Sequence, residues 1–145
     1  GENDPVTING DADFLGRAVR NLVENALAHT PSGTTVTIRV TREPAIQVSD
    51  LGPGVPLSER DLIFQRFWRR DRRGRNSFGL GLSIVTRIAA AHKGWVDVGD
   101  EPGGGAVFSL RFDPAVLIPA TPARRNLATA RAKKPSFIDS LLLRS

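Results

Sequence analysis

Two pairs of closely spaced glycines, Gly52/Gly54 and Gly79/Gly81, constrain how this chain can fold more than any other feature. Pro53 and Pro56 interrupt the first pair with residues that lack a backbone donor, so Gly52–Pro56 cannot be regular helix or strand. Glycine tolerates positive φ and lets a backbone lie against a ligand. Between the pairs, residues 66–75 carry six arginines (Arg66, Arg69, Arg70, Arg72, Arg73, Arg75) against one acid, Asp71. Residues 69–77 contain nothing apolar, so a solvated loop is expected there. Guanidinium groups beside an approachable backbone suit a polyphosphate. The fold must therefore hold two irregular turns and a basic loop on a rigid frame.

The flanking sequence supplies that frame. After an extended lead (Val6-Thr7-Ile8), Asp11 is placed to cap a helix running to about Ala28, with Leu15, Val19, Leu22, Val23 and Ala26 at helical spacing. Pro31-Ser32-Gly33 ends it. The alternating, β-branched run Thr35–Val40 and the run Ala45–Asp50 read as a hairpin around Glu43-Pro44. Ser58 and Asp61 predict a short capped helix burying Leu62, Ile63 and Phe67. A second long helix begins at Leu80, with Leu82, Ile84, Val85, Ile88 and Ala89 inward, and stops at Lys93-Gly94. Trp95–Gly99 and Ala106–Phe112 form a second hairpin around Pro102–Gly105. The order helix, hairpin, short helix, loop, helix, hairpin predicts an α+β sandwich, helices on one face of a mixed, largely antiparallel sheet.

Composition narrows the function classes. The 145 residues suffice for one domain (residues 1–113) and a tail (114–145). The net charge of +5 resides in that tail, where six Lys/Arg face one acid, while residues 1–113 balance 14 against 14. The Pro/Ala-rich tail offers only Phe137-Ile138 and Leu141–Leu143 to bury and is expected to be disordered or a short docking helix. It has no interleaved aromatics, which argues against a nucleic-acid binder. No apolar run approaches the roughly 20 residues of a membrane-spanning helix, so no direct membrane contact is expected. The absence of cysteine excludes disulfides and thiolate metal sites and fits a cytoplasmic domain. A first residue other than methionine reads as a piece of a larger protein.

Asn21 and Asn25 lie four apart on the first helix and so share a face. Amide oxygens suit magnesium, which prefers oxygen donors and keeps several waters. The same spacing also fits a solvated polar stripe with Arg17, Arg20 and Glu24.

In combination the motifs are specific. Asn21-Leu22-Val23-Glu24-Asn25-Ala26-Leu27-Ala28-His29-Thr30-Pro31 resembles the N box of bacterial sensor histidine kinases. Asp50-Leu51-Gly52-Pro53-Gly54-Val55 resembles their first glycine box, Ile63-Phe64-Gln65-Arg66-Phe67-Trp68-Arg69 their phenylalanine box, and Phe78-Gly79-Leu80-Gly81-Leu82-Ser83-Ile84-Val85 their second glycine box. Ala91–Gly94 and Gly103–Phe108 are similar to later family patterns. The resemblance spans roughly residues 5–113.

It implies the Bergerat fold shared with gyrase, Hsp90 and mismatch-repair ATPases, with ATP and Mg2+ as ligands. Asp50 would accept from the adenine amino group, with Gly52 and Gly54 letting backbone lie against the base and Val55 as apolar wall. Asn25 would hold magnesium, Asn21 would assist or contact phosphate, and His29 would lie near the nucleotide. Gly79, Leu80 and Gly81, leading into Leu82, would offer amides to the phosphates. Arg69, with Arg66 as a second candidate, would neutralise charge on the γ-phosphate, and residues 69–78 would form a lid. Phe64 and Phe67 are expected in the core, Trp68 as a lid anchor, and His92 as a structural residue at a helix end. The phosphoryl acceptor would be a histidine on a separate dimerisation domain, followed by a response regulator. The parent would be a membrane-anchored homodimer and this piece a monomer.

The chain departs from the family pattern twice. Ala28 stands where lysine or arginine is common, and Asn76-Ser77-Phe78 precede Gly79 in place of further glycines. An anti-sigma-type serine kinase on the same fold and a degenerate nucleotide-binding signalling module are the alternatives.

Overall fold

The computed structural model describes residues 6–68 and 80–116. The elements are α1 (Ala12–His29), β1 (Thr37–Thr41), β2 (Ala45–Ser49), two single-turn 3-10 helices (Leu57–Glu59 and Leu62–Phe64), α2 (Gly81–Ala91), β3 (Gly94–Asp100), β4 (Ala106–Phe112) and a last 3-10 turn (Pro114–Val116). The loop arginines from Arg69 to Arg75, the segment through Gly79 and the tail from residue 117 lie outside the described residues.

Asp11 starts α1 as expected. Its Oδ1 accepts from the amides of Asp13 (2.9 Å) and Phe14 (3.2 Å), satisfying two of the donors a helix start leaves unpaired. Leu15, Ala18, Val19, Leu22 and Ala26 then recur on one buried face. The end is marked by Thr30, whose hydroxyl donates to the Ala26 carbonyl at 2.5 Å before Pro31. In α2 the inward residues are Val85, Ile88 and Ala89, with Leu82 and Ile84 half-buried beside them.

The four strands are ordered β1-β2-β4-β3, and all three pairings are antiparallel. Their register builds two apolar rows on one face: Ile38–Val48–Phe108–Val98 and Val40–Ile46–Leu110–Val96. Both helices pack against this face, where Leu22 and Val85 are wholly buried with Val48 and Leu110. The opposite face is polar: Gln47 donates to Ser109, and Arg111 pairs with Asp97 at 2.6 Å. Gly94 begins β3 because a Cβ there would overlap the Arg111 carbonyl.

His92 closes the frame. Its ring accepts the Asp11 amide on Nε2 at 3.0 Å and bonds the Ile88 carbonyl through Nδ1 at 2.7 Å. With Nε2 accepting, Nδ1 carries the proton and the ring is neutral. The end of α2 is thereby tied to the start of α1, the structural role expected of this residue.

Several boundaries and one segment differ from expectation. β1 begins at Thr37 rather than Thr35, β2 stops at Ser49, and β3 extends from Gly94 to Asp100. The mixed pairing expected of the sheet is absent among the described strands. The capped helix after Pro56 is two 3-10 turns without side-chain caps, and only Ile63 is buried there. Phe64 packs on the core, its ring edge-on to Phe108 at 6.3 Å. Leu62 and Phe67 are not core residues. Phe67 is 61% exposed with φ +65°, because the chain reverses at this residue and swings its ring outward.

Candidate nucleotide site

The pairing of β2 with β4 carries Asp50 to a fixed place beside the first residue of β4. The Asp50 amide donates to the Ala106 carbonyl at 2.9 Å, and the Ala106 amide donates to Asp50 Oδ1 at 3.3 Å. Oδ1 also accepts the Gly52 amide at 2.8 Å. The side chain is buried, at 3% exposure, and among the described residues no hydrogen bond falls on Oδ2. A buried carboxylate needs its hydrogen-bonding capacity filled. Here one oxygen is committed to backbone and the other remains for a donor.

Gly52 and Gly54 owe their identity to close approach. A Cβ on Gly52 would stand 2.6 Å from the His29 carbonyl, so the loop rests directly on the end of α1. Gly54 takes φ +76°, and its Cβ would come 3.3 Å from the Gly105 carbonyl. Val55 is half-buried against the core.

Along α1, Asn21, Asn25 and His29 repeat every fourth residue and lead up to Gly52. Asn21 is the informative member. Its Nδ2 is buried and has no partner among the described residues. Asn25 is half-buried, whereas Ala28 and the His29 side chain are exposed. The stripe is thus not a solvated face, since its asparagines turn inward while Arg17, Arg20 and Glu24 turn out.

The start of α2 is left without a side-chain cap. Leu80 occupies the cap position, and its carbonyl accepts from Ser83 Oγ (2.8 Å) and the Ile84 amide (3.0 Å). Among the described residues nothing lies within 4 Å of where a Gly81 Cβ would be. Uncapped amides at a helix start favour an anion. Among the described residues no group of three or more His, Cys, Asp or Glu could hold a metal.

The structure therefore sets Gly52 against the end of α1, Asp50 beside Ala106, Gly54 beside Gly105 and Val55 on the core, and it places Leu80, Gly81 and Leu82 at a helix start. Arg66 is exposed, its guanidinium 4.7 Å above the Phe67 ring. Trp68 packs on the core, whereas Arg69 and Gly79 lie outside the described residues. Two residues escaped the sequence reading. Gly105, read there as part of a turn and of a later family pattern but given no role, has φ +95°, and a Cβ on it would overlap the Asp50 carbonyl. The Gly103–Gly105 run before a strand was its signal. Arg60 was the other, and nothing in its neighbourhood distinguishes it in sequence. A cavity of about 460 Å³ opens between Pro53–Leu57, Arg60 and the turn from Asp100 to Gly105. It is lined by neither Asp50 nor the asparagines and is distinct from the stripe just described.

Comparison with known proteins gives this geometry its context. Residues 10–116 match the family described as histidine kinase-, DNA gyrase B-, and HSP90-like ATPase. The probable sensor histidine kinase TcrY of Mycobacterium tuberculosis is 43% identical over 106 residues, 69% of this chain and 22% of TcrY. The solved structure of the mycobacterial sensor histidine kinase MprB is 33% identical with a TM-score of 0.65, covering 73% of this chain and 74% of that one. Full-length ShkA, solved in complex with AMPPNP, is 36% identical with a TM-score of 0.60, covering 73% of this chain and 22% of ShkA. The chain spans 14% to 28% of the lengths of the first curated relatives it matches. No described helix is long and apolar enough to cross a membrane. The sandwich and these likenesses agree: the chain belongs to the histidine kinase-, DNA gyrase B- and HSP90-like ATPase family, as a catalytic ATP-binding domain of the sensor histidine kinase type.

Proposed function

We propose that this domain binds Mg-ATP and passes the γ-phosphoryl group to a histidine on a separate dimerisation domain, from which an aspartate of a response regulator receives it. The observation that carries the reading is Asp50: a buried carboxylate with Oδ1 held by two backbone amides and Oδ2 left for a donor. The exocyclic amino group of adenine is such a donor, whereas guanine presents a carbonyl at that edge. The ATP analogue named in the ShkA structure supports the same ligand class.

On this reading Gly52, Gly54 and Val55 flank the base. The buried, unpaired Nδ2 of Asn21 is a donor waiting for a phosphate oxygen. The fit to magnesium is a matter of donor chemistry: the Asn25 amide oxygen, with phosphate oxygens and water, would hold the ion, which supplies charge neutralisation at the phosphates. Gly79, Leu80, Gly81 and Leu82 offer helix-start amides to the same phosphates. Arg69, with Arg66 beside it, balances charge on the group in transfer. His29 lines the nucleotide edge. No amide side chain can take a proton as a general base, so Asn21 disfavours hydrolysis and leaves the phosphoryl group for an acceptor. The engagement of both His92 ring nitrogens supports an acceptor outside this domain. The parent is read as a membrane-anchored homodimer with this domain in the cytoplasm, and the chain itself as a monomer.

A degenerate module that binds nucleotide without transfer is the second reading, and exposed Ala28 favours it, since a methyl group offers phosphate nothing. Radiolabelled ATP added to this chain with a helical phosphoacceptor fragment separates the two. Label appearing on the histidine fragment, and lost with Asp50→Asn, is the expected result. Tight ATP binding with no transfer to any acceptor would support the module.

A further inference from the structure

Gly52 to Pro56 contains two prolines and therefore few amides with which to fix itself. Among the described residues, 53–55 make a single hydrogen bond: the Val55 carbonyl accepts from Arg60 Nε at 3.0 Å. The same guanidinium reaches Asp100 Oδ1 through Nη2 at 2.7 Å. The Arg60 side chain is 21% exposed and Asp100 is 79% exposed, so arginine is the held partner and aspartate the outer end. The far anchor is firm. Glu101, next in sequence, bonds Ser49 Oγ at 2.8 Å and Arg39 at 3.3 Å, and its carbonyl accepts the Gly104 amide. Arg60 thus spans from the glycine loop to a turn already locked to β2 and β1. A planar fork presents its donors to a carbonyl and a carboxylate in fixed directions, whereas an ammonium on a flexible stem fixes neither.

We propose that Arg60 is a positioning residue for adenine recognition: by tying the Val55 carbonyl to Asp100, it sets the distance of the Gly54–Val55 backbone from the base that Asp50 selects. The inference rests on the nucleotide reading above and adds to it a residue outside the ligand's reach. A loop freed at Val55 would still leave Asp50 bonded to Ala106 and Gly52, so the phosphate contacts and the carboxylate persist while the walls around the base slacken.

The test uses the 145-residue chain, with ATP and GTP affinities measured by calorimetry and competition for wild type, Arg60→Ala, Arg60→Lys and Asp100→Ala. Arg60→Ala is expected to weaken ATP by about tenfold, the equivalent of one hydrogen bond to a charged group. GTP should weaken less, narrowing the preference for adenine. Arg60→Lys should fall between, and Asp100→Ala should cost about twofold alone and nothing further in the Arg60→Ala background, as for two groups acting through one link. A general loss of structure would instead lower ATP and GTP affinity equally and depress the melting temperature. That pattern, or wild-type affinities in Arg60→Ala, would overturn the proposal. Should the alanine variant not fold, an unchanged ATP-to-GTP ratio in Arg60→Lys would overturn it equally. Failure of the wild-type chain to bind ATP would overturn the nucleotide reading and this inference together, whereas binding lost in Asp50→Asn and untouched by Arg60 variants would sink this inference alone.

Discussion

Asp50 and Ala106 are bonded to each other twice, amide to carbonyl at 2.9 Å and amide to carboxylate at 3.3 Å in the opposite direction. The second bond makes the side chain part of the sheet's own ladder. Asp50→Asn should therefore spare the fold, because an amide oxygen can replace Oδ1 as acceptor. It should remove ATP binding by about a hundredfold, because the group in place of Oδ2 becomes a donor facing a donor. Calorimetry checks the affinity and thermal unfolding checks the fold; retained affinity would remove Asp50 from the site.

Gly105 is held to its identity by that same pair. Adding a Cβ would force overlap with the Asp50 carbonyl at a φ of +95°. Gly105→Ala should cost about 3 kcal/mol or more. Gly103→Ala, at φ +99° but with nothing within 4 Å, should cost only the backbone strain of about 1 kcal/mol. Urea unfolding of the two variants gives the comparison, and equal losses would mean the overlap is relieved by a shift of the turn.

Asn21 has a buried Nδ2 with no partner among the described residues, an arrangement that costs stability. Asn21→Leu should raise the stability of the nucleotide-free chain by about 1 kcal/mol while removing phosphotransfer. Melting curves with and without Mg-ATP test this. A destabilised apo variant would show that the amide has a structural task.

His92→Ala removes the bond to Asp11 that ties α2 to α1, together with the ring's own bond to Ile88 within α2. The Asp11 amide is exposed and can be rehydrated, so the loss should be about 1 kcal/mol per bond at most. Nucleotide affinity of the folded variant should not change, which calorimetry below its melting temperature would establish.

How much of this was legible in the sequence follows from how locally each feature is decided. α1 was readable to within a residue because Asp11, the apolar period and Pro31 all act within one or two turns. β4 was readable end to end because its β-branched and aromatic residues run without a breaker between Gly105 and Asp113. Phe67 was misread because an aromatic in an apolar run reads as core, while its outward turn depends on a positive φ that no local residue type announces. Arg60 was invisible for the opposite reason: its partner Asp100 lies 40 residues away, and only the hairpin's placement brings them together. Among the site residues, Asp50 and the glycines were recognisable as a motif, but the division of labour between the two carboxylate oxygens is a property of register.

The bare first turn of α2 carries a last consequence. Most helices begin with a Ser, Thr or Asp whose oxygen completes the opening turn; α2 begins with Leu80, which has none. A phosphate seated there would be the missing capping oxygen. The ligand would then finish a piece of secondary structure as well as occupy a cleft, and nucleotide exchange would be read by the rest of the protein as the winding and fraying of one helical turn.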